Sequence, residues 1–136
     1  MQEKLRPTAL KMLNEVVEYF GEDPVNRRSK NQNGCKYLAP DDKPLSKGCA
    51  IGMYISDENV KKALDDVGDI GEVFGEGLDT SLPDWMQSLG AHFLKGVQDL
   101  HDGDRYWSPI KGLSVAGKEK VKDIIESINF PNGEGK

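Results

Sequence analysis

A mostly helical α+β domain is the fold class this chain predicts, and three observations carry that expectation. Apolar residues recur at steps of three and four in four separate stretches, the mark of helices that bury one face. Between 35 and 55 the pattern changes to alternation on both sides of a Pro- and Asp-rich turn, the mark of a short β-hairpin. With 136 residues, 37% hydrophobic and 30% charged, the chain suits one soluble domain whose core needs no staples. A single compact globular domain over residues 1–130 is therefore expected, with about four helices and one hairpin. The glycine- and proline-containing end, residues 131–136, reads as a flexible C-terminal tail.

The first helix is expected near 7–20, where Leu5, Ala9, Met12, Leu13, Val16, Val17 and Phe20 keep helical spacing and Gly21 supplies a stop. Residues 22–34 hold one aliphatic side chain among many turn formers and read as a surface loop. Cys35 and Tyr37, then the APDDKP turn, then Leu45, Cys49, Ile51, Met53 and Ile55 make the hairpin, although GCAIGMYI also fits one helical turn. Ser56 is placed to cap a helix near 57–67 that turns Val60, Ala63, Leu64 and Val67 inward, and Gly68 closes it. Residues 68–81 read as a glycine-rich acidic loop anchored by Ile70, Val73, Phe74 and Leu78.

One long helix follows near 83–102, with Met86, Leu89, Phe93, Val97 and Leu100 on its stripe, Trp85 and Leu94 widening it, Ser81 ahead of it as a cap, and Gly103 as its stop. The last helix is expected near 115–128, opened by Ser114 and carrying Val121, Ile124, Ile125 and Ile128.

A net charge of −5 disfavours nonspecific binding to nucleic-acid phosphates, although Arg27, Arg28 and Lys30 form a small basic patch. No apolar run approaches the ~20 residues that cross a bilayer, and the N-terminus lacks the apolar core of a signal peptide. The expected setting is the cytoplasm, with Cys35 and Cys49 as free thiols.

The densest chemistry lies at the end of the long helix, in His101, Asp102, Arg105, Tyr106 and Trp107. An aromatic plane, a guanidinium and an imidazole together suit a nucleotide-like ligand, by stacking on a base and pairing with phosphate. The competing role for the same residues is structural: Trp107 and Tyr106 as core beneath the 22–34 loop, Arg105 paired with an acid, and His101 capping helix carbonyls.

Cys49 with His101 as base and Asp102 or Asp104 as orienter would make a cysteine hydrolase, but a thiol beside Ala50 and Ile51 is more simply a small buried hydrophobe. Cys35, Cys49 and His101, with His92 as a fourth, are the conceivable zinc ligands. There is no C-x-x-C pair, however, and nine residues separate the histidines onto opposite helix faces. Asp99, Asp102 and Asp104 lack the spacing of a calcium loop. The expectation is a binding protein with no resident metal or cofactor and no catalytic residue.

Three marks occur in order along the chain: Cys35-x-Tyr37; Gly48-Cys49-Ala50-Ile51-Gly52, with Asp57-Glu58 soon after; and Leu94-x-x-Val97-Gln98-x-x-His101-Asp102 followed by Trp107. In this order they resemble a family of small bacteriophage and prophage proteins, over residues 35 to 125. The resemblance implies a viral setting, hence an infected host's cytoplasm, and it supplies no mechanism. The polar 22–34 loop and the 68–81 insert depart from the family pattern.

The function expected is that of a phage-type accessory protein binding a small nucleotide-like molecule in a counter-defence role. The alternatives are an acidic inhibitor that meets a host protein through Asp65, Asp66, Asp69, Glu72 and Glu76, and a cysteine- or metal-dependent hydrolase.

Overall fold

A computed structural model of the chain describes residues 1–31 and 34–129, the side chains of 31, 34 and 35 aside. It is built from helices. α1 runs Arg6–Glu22, α2 Pro24–Arg27, α3 Glu58–Val67, α4 Ile70–Gly75, α5 Asp84–Gln87, α6 Gly90–Asp102 and α7 Val115–Asn129, with four 3-10 turns between or before them.

The α+β expectation is therefore corrected. Residues 35–55 do not form a hairpin, and the described residues hold no more strand than a two-residue ladder, Lys30 opposite Cys35 and Asn31 opposite Gly34. Pro40 and Pro44 cannot donate to a ladder, and the alternating apolar residues go to separate tasks. Tyr37 enters the core, Cys49–Ile51 makes a buried turn, and Gly52–Tyr54 is a 3-10 turn.

The other differences have local causes. The single helix expected at 83–102 is two, because Gly90 adopts φ +85°, a left-handed conformation that breaks the α-helical path between α5 and α6. Ser81 ends a 3-10 turn and caps nothing, since the residue preceding α5 is Pro83. Asp57, one residue past the expected Ser56, caps α3 by accepting the amides of Asn59 and Val60. Inside the expected 68–81 loop lies α4, opened by a reciprocal capping box between Asp69 and Glu72. The expected C-terminal tail at 131–136 lies outside the described residues.

One hydrophobic cluster joins these elements. It contains Ala9, Met12, Leu13, Val16 and Phe20 from α1, Leu64 from α3, Ile70 and Val73 from α4, and Met86 from α5. Phe93, Leu94, Val97 and Leu100 from α6, and Ile124 and Ile128 from α7, complete its centre. The stripe expected from Met86 to Leu100 is buried, Leu94 with it, while Trp85, expected to widen it, stays exposed, so periodicity located the core face even where it missed the break at Gly90. No described helix is long and apolar enough to cross a membrane.

The described part of the 22–34 segment is more than a surface loop. It carries α2, and beyond it Arg28 and Ser29 are buried, 8% and 0% exposed, against the end of α6. That packing places the site.

Candidate functional site

α6 must leave its last carbonyls without helical partners, and the chain satisfies three of them individually. The Asp99 carbonyl accepts the Gly103 amide at 3.1 Å. The Leu100 carbonyl accepts the indole N–H of Trp107 at 2.8 Å. The His101 carbonyl accepts Nε–H of Arg28 at 2.7 Å. The same guanidinium donates to Asp104 Oδ1 at 3.0 Å and lies over the Trp107 ring, 6.0 Å from its centre.

The His101 side chain is fully buried and both its ring nitrogens are engaged. Nε2 accepts the Ser29 amide at 3.0 Å, so Nδ1 carries the proton and donates it to Asp102 Oδ1 at 2.7 Å. The ring edge packs on Phe20 at 4.7 Å between centroids. Burial pushes the imidazole pKa below its ordinary 6.5, against the pull of the Asp102 carboxylate and aided by the positive charges of Arg28 and Lys30.

Gln98 sits one turn before His101 and is equally buried. Its Oε1 accepts the Ile70 amide at 3.0 Å, an orphan donor at the start of α4, and its Nε2–H donates to the Tyr37 hydroxyl at 3.3 Å. The Tyr37 hydroxyl in turn donates to the Gly68 carbonyl at 2.9 Å. The Tyr37 amide is held at 2.6 Å by Asp65, and burial drives the phenol pKa far up.

Gly48 and Gly52 fit the same place, since a Cβ on either would lie 2.2 Å from the Tyr37 carbonyl oxygen. The Cys49 amide donates to the Lys36 carbonyl, which also accepts the Ser29 hydroxyl. Tyr37, the GCAIG turn, Gln98, His101 and Trp107 thus belong to one buried polar lattice. Such a lattice is favourable only when every member is satisfied.

The five candidate site residues consequently divide. His101 and Trp107, 0% and 5% exposed, face inward, and no base can stack on that indole. Asp102, Arg105 and Tyr106 reach the surface and line an open groove together with Asp99, Gly103, Asp104 and Lys120. There the Arg105 guanidinium stands 4.9 Å from the Tyr106 ring centre and donates to the Tyr106 hydroxyl at 2.8 Å, while Lys120 Nζ lies 5.9 Å from the same ring.

Lys120, Arg28, Ser29 and Gln98 were missed as site or lattice residues by sequence reasoning. Gln98 had a signal in its place in the L-x-x-V-Q-x-x-H-D mark, and Arg28 in the small basic patch, which did not point to α6. Lys120 has the ordinary look of an exposed helix lysine.

Other chemistry is narrowed. Cys49 is disulfide-bonded, which corrects the expectation of free thiols and leaves no thiolate there to attack a substrate. Among the described residues no three His, Cys, Asp or Glu side chains gather to hold a metal ion. Asp65 is spent on the amides of Tyr37 and Leu38, and Asp69 and Glu72 on their capping box.

No protein-family model, curated protein or solved structure matches the chain.

Proposed function

We propose that this chain is a binding protein, a phage-type accessory factor that takes a small nucleotide-like anion in the groove between the 104–106 turn and α7. One observation carries the reading. Two cations, Arg105 and Lys120, converge on the Tyr106 ring, and among the described residues neither has a carboxylate within ion-pair distance.

The acids around them are differently placed. Asp99 pairs with Lys95, Asp104 with Arg28 and Lys30, and Asp102 accepts the His101 Nδ1 proton. The field an incoming phosphate meets near Tyr106 is thereby tilted toward Arg105 and Lys120. A base would stack on the half-buried Tyr106 ring, phosphate would pair with Arg105 and Lys120, and the outer oxygen of Asp102 would accept a ribose hydroxyl.

The inhibitor reading is weaker, because Asp65, Asp69 and Glu72 of its acidic face already hold backbone amides. The hydrolase reading has lost its Cys49 nucleophile. The viral setting and the host cytoplasm rest on the resemblance alone. The disulfide of Cys49 fits an oxidising compartment instead.

Thermal shift with ATP, ADP-ribose and a cyclic dinucleotide tests the proposal. A ligand that binds only the folded state at a hundredfold excess over its Kd adds about 2.7 kcal/mol, which raises Tm by several degrees in a domain of this size. The shift should vanish in Tyr106→Ala and in the Arg105→Gln, Lys120→Gln double variant. No shift with any of the three, or a shift that survives both variants, would overturn it.

A further inference from the structure

Among the bonds by which the Arg28–Lys30 stretch meets the end of α6 is one that a single proton would abolish. We infer that His101 is a protonation latch: in mild acid the Arg28–Lys30 stretch leaves the end of α6 while the helical core stays folded. The latch is independent of whether the groove takes a ligand.

The geometry supplies the mechanism. His101 Nε2 is the acceptor for the Ser29 amide, and its other nitrogen already donates to Asp102. A second proton can only go to Nε2, where it meets an N–H donor whose nitrogen is 3.0 Å away. The bond then becomes a clash of two donors inside the protein.

Burial opposes the charge most, and it outweighs the pull of the facing carboxylate. Asp102 on its own helix favours an imidazolium, while Arg28 and Lys30 on the opposing stretch disfavour it. Asp104 is already engaged by those same two cations, and α1 presents the uncharged edge of Phe20. The Tyr37 phenol, which lies within the field of Asp102, stays neutral.

What remains to hold the stretch is the Arg28 Nε–H bond to the His101 carbonyl at 2.7 Å, from a guanidinium that a charged ring would repel, and two ion pairs. Arg28 and Lys30 pair with Asp104, whose side chain is 76% exposed, so solvent screens both pairs. The Ser29 hydroxyl and carbonyl bond to Lys36, within the stretch's own turn, and do not tether it to α6. Opening would uncover the face of Trp107 that Arg28 covers.

The sign follows from linkage. The native state holds His101 neutral, so the latch is at full strength above the ordinary imidazole range. As pH falls through that range the open form takes up a proton that the closed form refuses, and opening becomes about tenfold easier per pH unit.

Amide-resolved hydrogen exchange on the full chain, corrected for intrinsic rates and run from about pH 7.5 to about pH 5, reads this directly. Protection at Ser29 should fall about tenfold per unit below the ordinary imidazole range, while amides of α1 and α6 such as Leu13 and Val97 keep theirs. In His101→Gln, whose amide oxygen can accept the Ser29 N–H without titrating, the fall should disappear. Should that variant fail to fold, NMR titration of His101 in the wild type decides the matter, with a midpoint below 6.5 that coincides with loss of Ser29 protection. Flat protection at Ser29, a fall in step with Leu13 and Val97, an unchanged fall in the folded variant, or a His101 midpoint unrelated to Ser29 would each overturn the latch.

Discussion

His101 accepts, at its Nε2, a hydrogen bond from the backbone of Ser29, which lies seventy-two positions earlier in the chain. That bond joins two segments that look unrelated in sequence: a polar stretch rich in turn formers, and the end of α6. It also explains why a titratable side chain can be fully buried here, since each ring nitrogen has a partner of the right kind.

Removing that partner should be expensive. In His101→Ala the Ser29 amide stays buried without an acceptor, which costs about 1–3 kcal/mol, and the lost ring adds a cavity beside Phe20. Urea unfolding at neutral pH should show a loss of at least about 2 kcal/mol. His101→Gln should lose less. Equal losses in the two variants would mean that the Nε2 bond contributes nothing.

A second prediction concerns Gln98, whose two amide ends serve Ile70 and Tyr37. Gln98→Leu keeps the apolar contacts and strands the Ile70 amide, so about 1–3 kcal/mol should be lost. Tyr37→Phe should couple to it by at least about 0.5 kcal/mol in a double-mutant cycle, as members of one network do. Strict additivity would show that the Gln98 and Tyr37 side chains act separately.

The sequence made the helical stripes legible because burial on one helix face leaves a period. α1, α3 and α7 begin and end within a few residues of their expected places, and Met86 to Leu100 are buried as the pattern requires. The lattice was not legible, because hydrogen bonds between Ser29 and His101 or between Gln98 and Ile70 leave no periodic trace. The false hairpin has the same origin. Tyr37 is buried on its own, Cys49 and Ile51 are buried in a folded turn, and period alone cannot distinguish that from a strand. Tyr37, the GCAIG turn, Gln98 and His101, which belong to the three sequence marks, meet inside the protein.

Trp107 and Tyr106 are neighbours with opposite roles, and paired variants should separate them. Trp107→Phe keeps ring packing near Phe20 but strands the Leu100 carbonyl, and should cost about 1–3 kcal/mol. Any thermal shift produced by ATP or ADP-ribose should persist in that variant. Tyr106→Ala should abolish the shift at small cost in stability. Loss of binding in Trp107→Phe with the fold intact would return the indole to the binding surface.

The bonding state of Cys49 can be checked by alkylation. Denatured, unreduced protein treated with iodoacetamide should remain unmodified at Cys49, and prior reduction should make it fully reactive. Quantitative alkylation without reductant would show a free thiol there and restore the cytoplasmic expectation.

The central claim is that His101 is a buried, neutral, structural imidazole whose Nε2 faces the Ser29 amide. Long-range proton–nitrogen NMR correlation of the His101 ring near pH 7 tests it most directly, because the two ring nitrogens report separately which one is protonated. The account predicts a protonated Nδ1 and a bare, hydrogen-bonded Nε2. A ring protonated at Nε2, or an imidazolium at that pH, would contradict it.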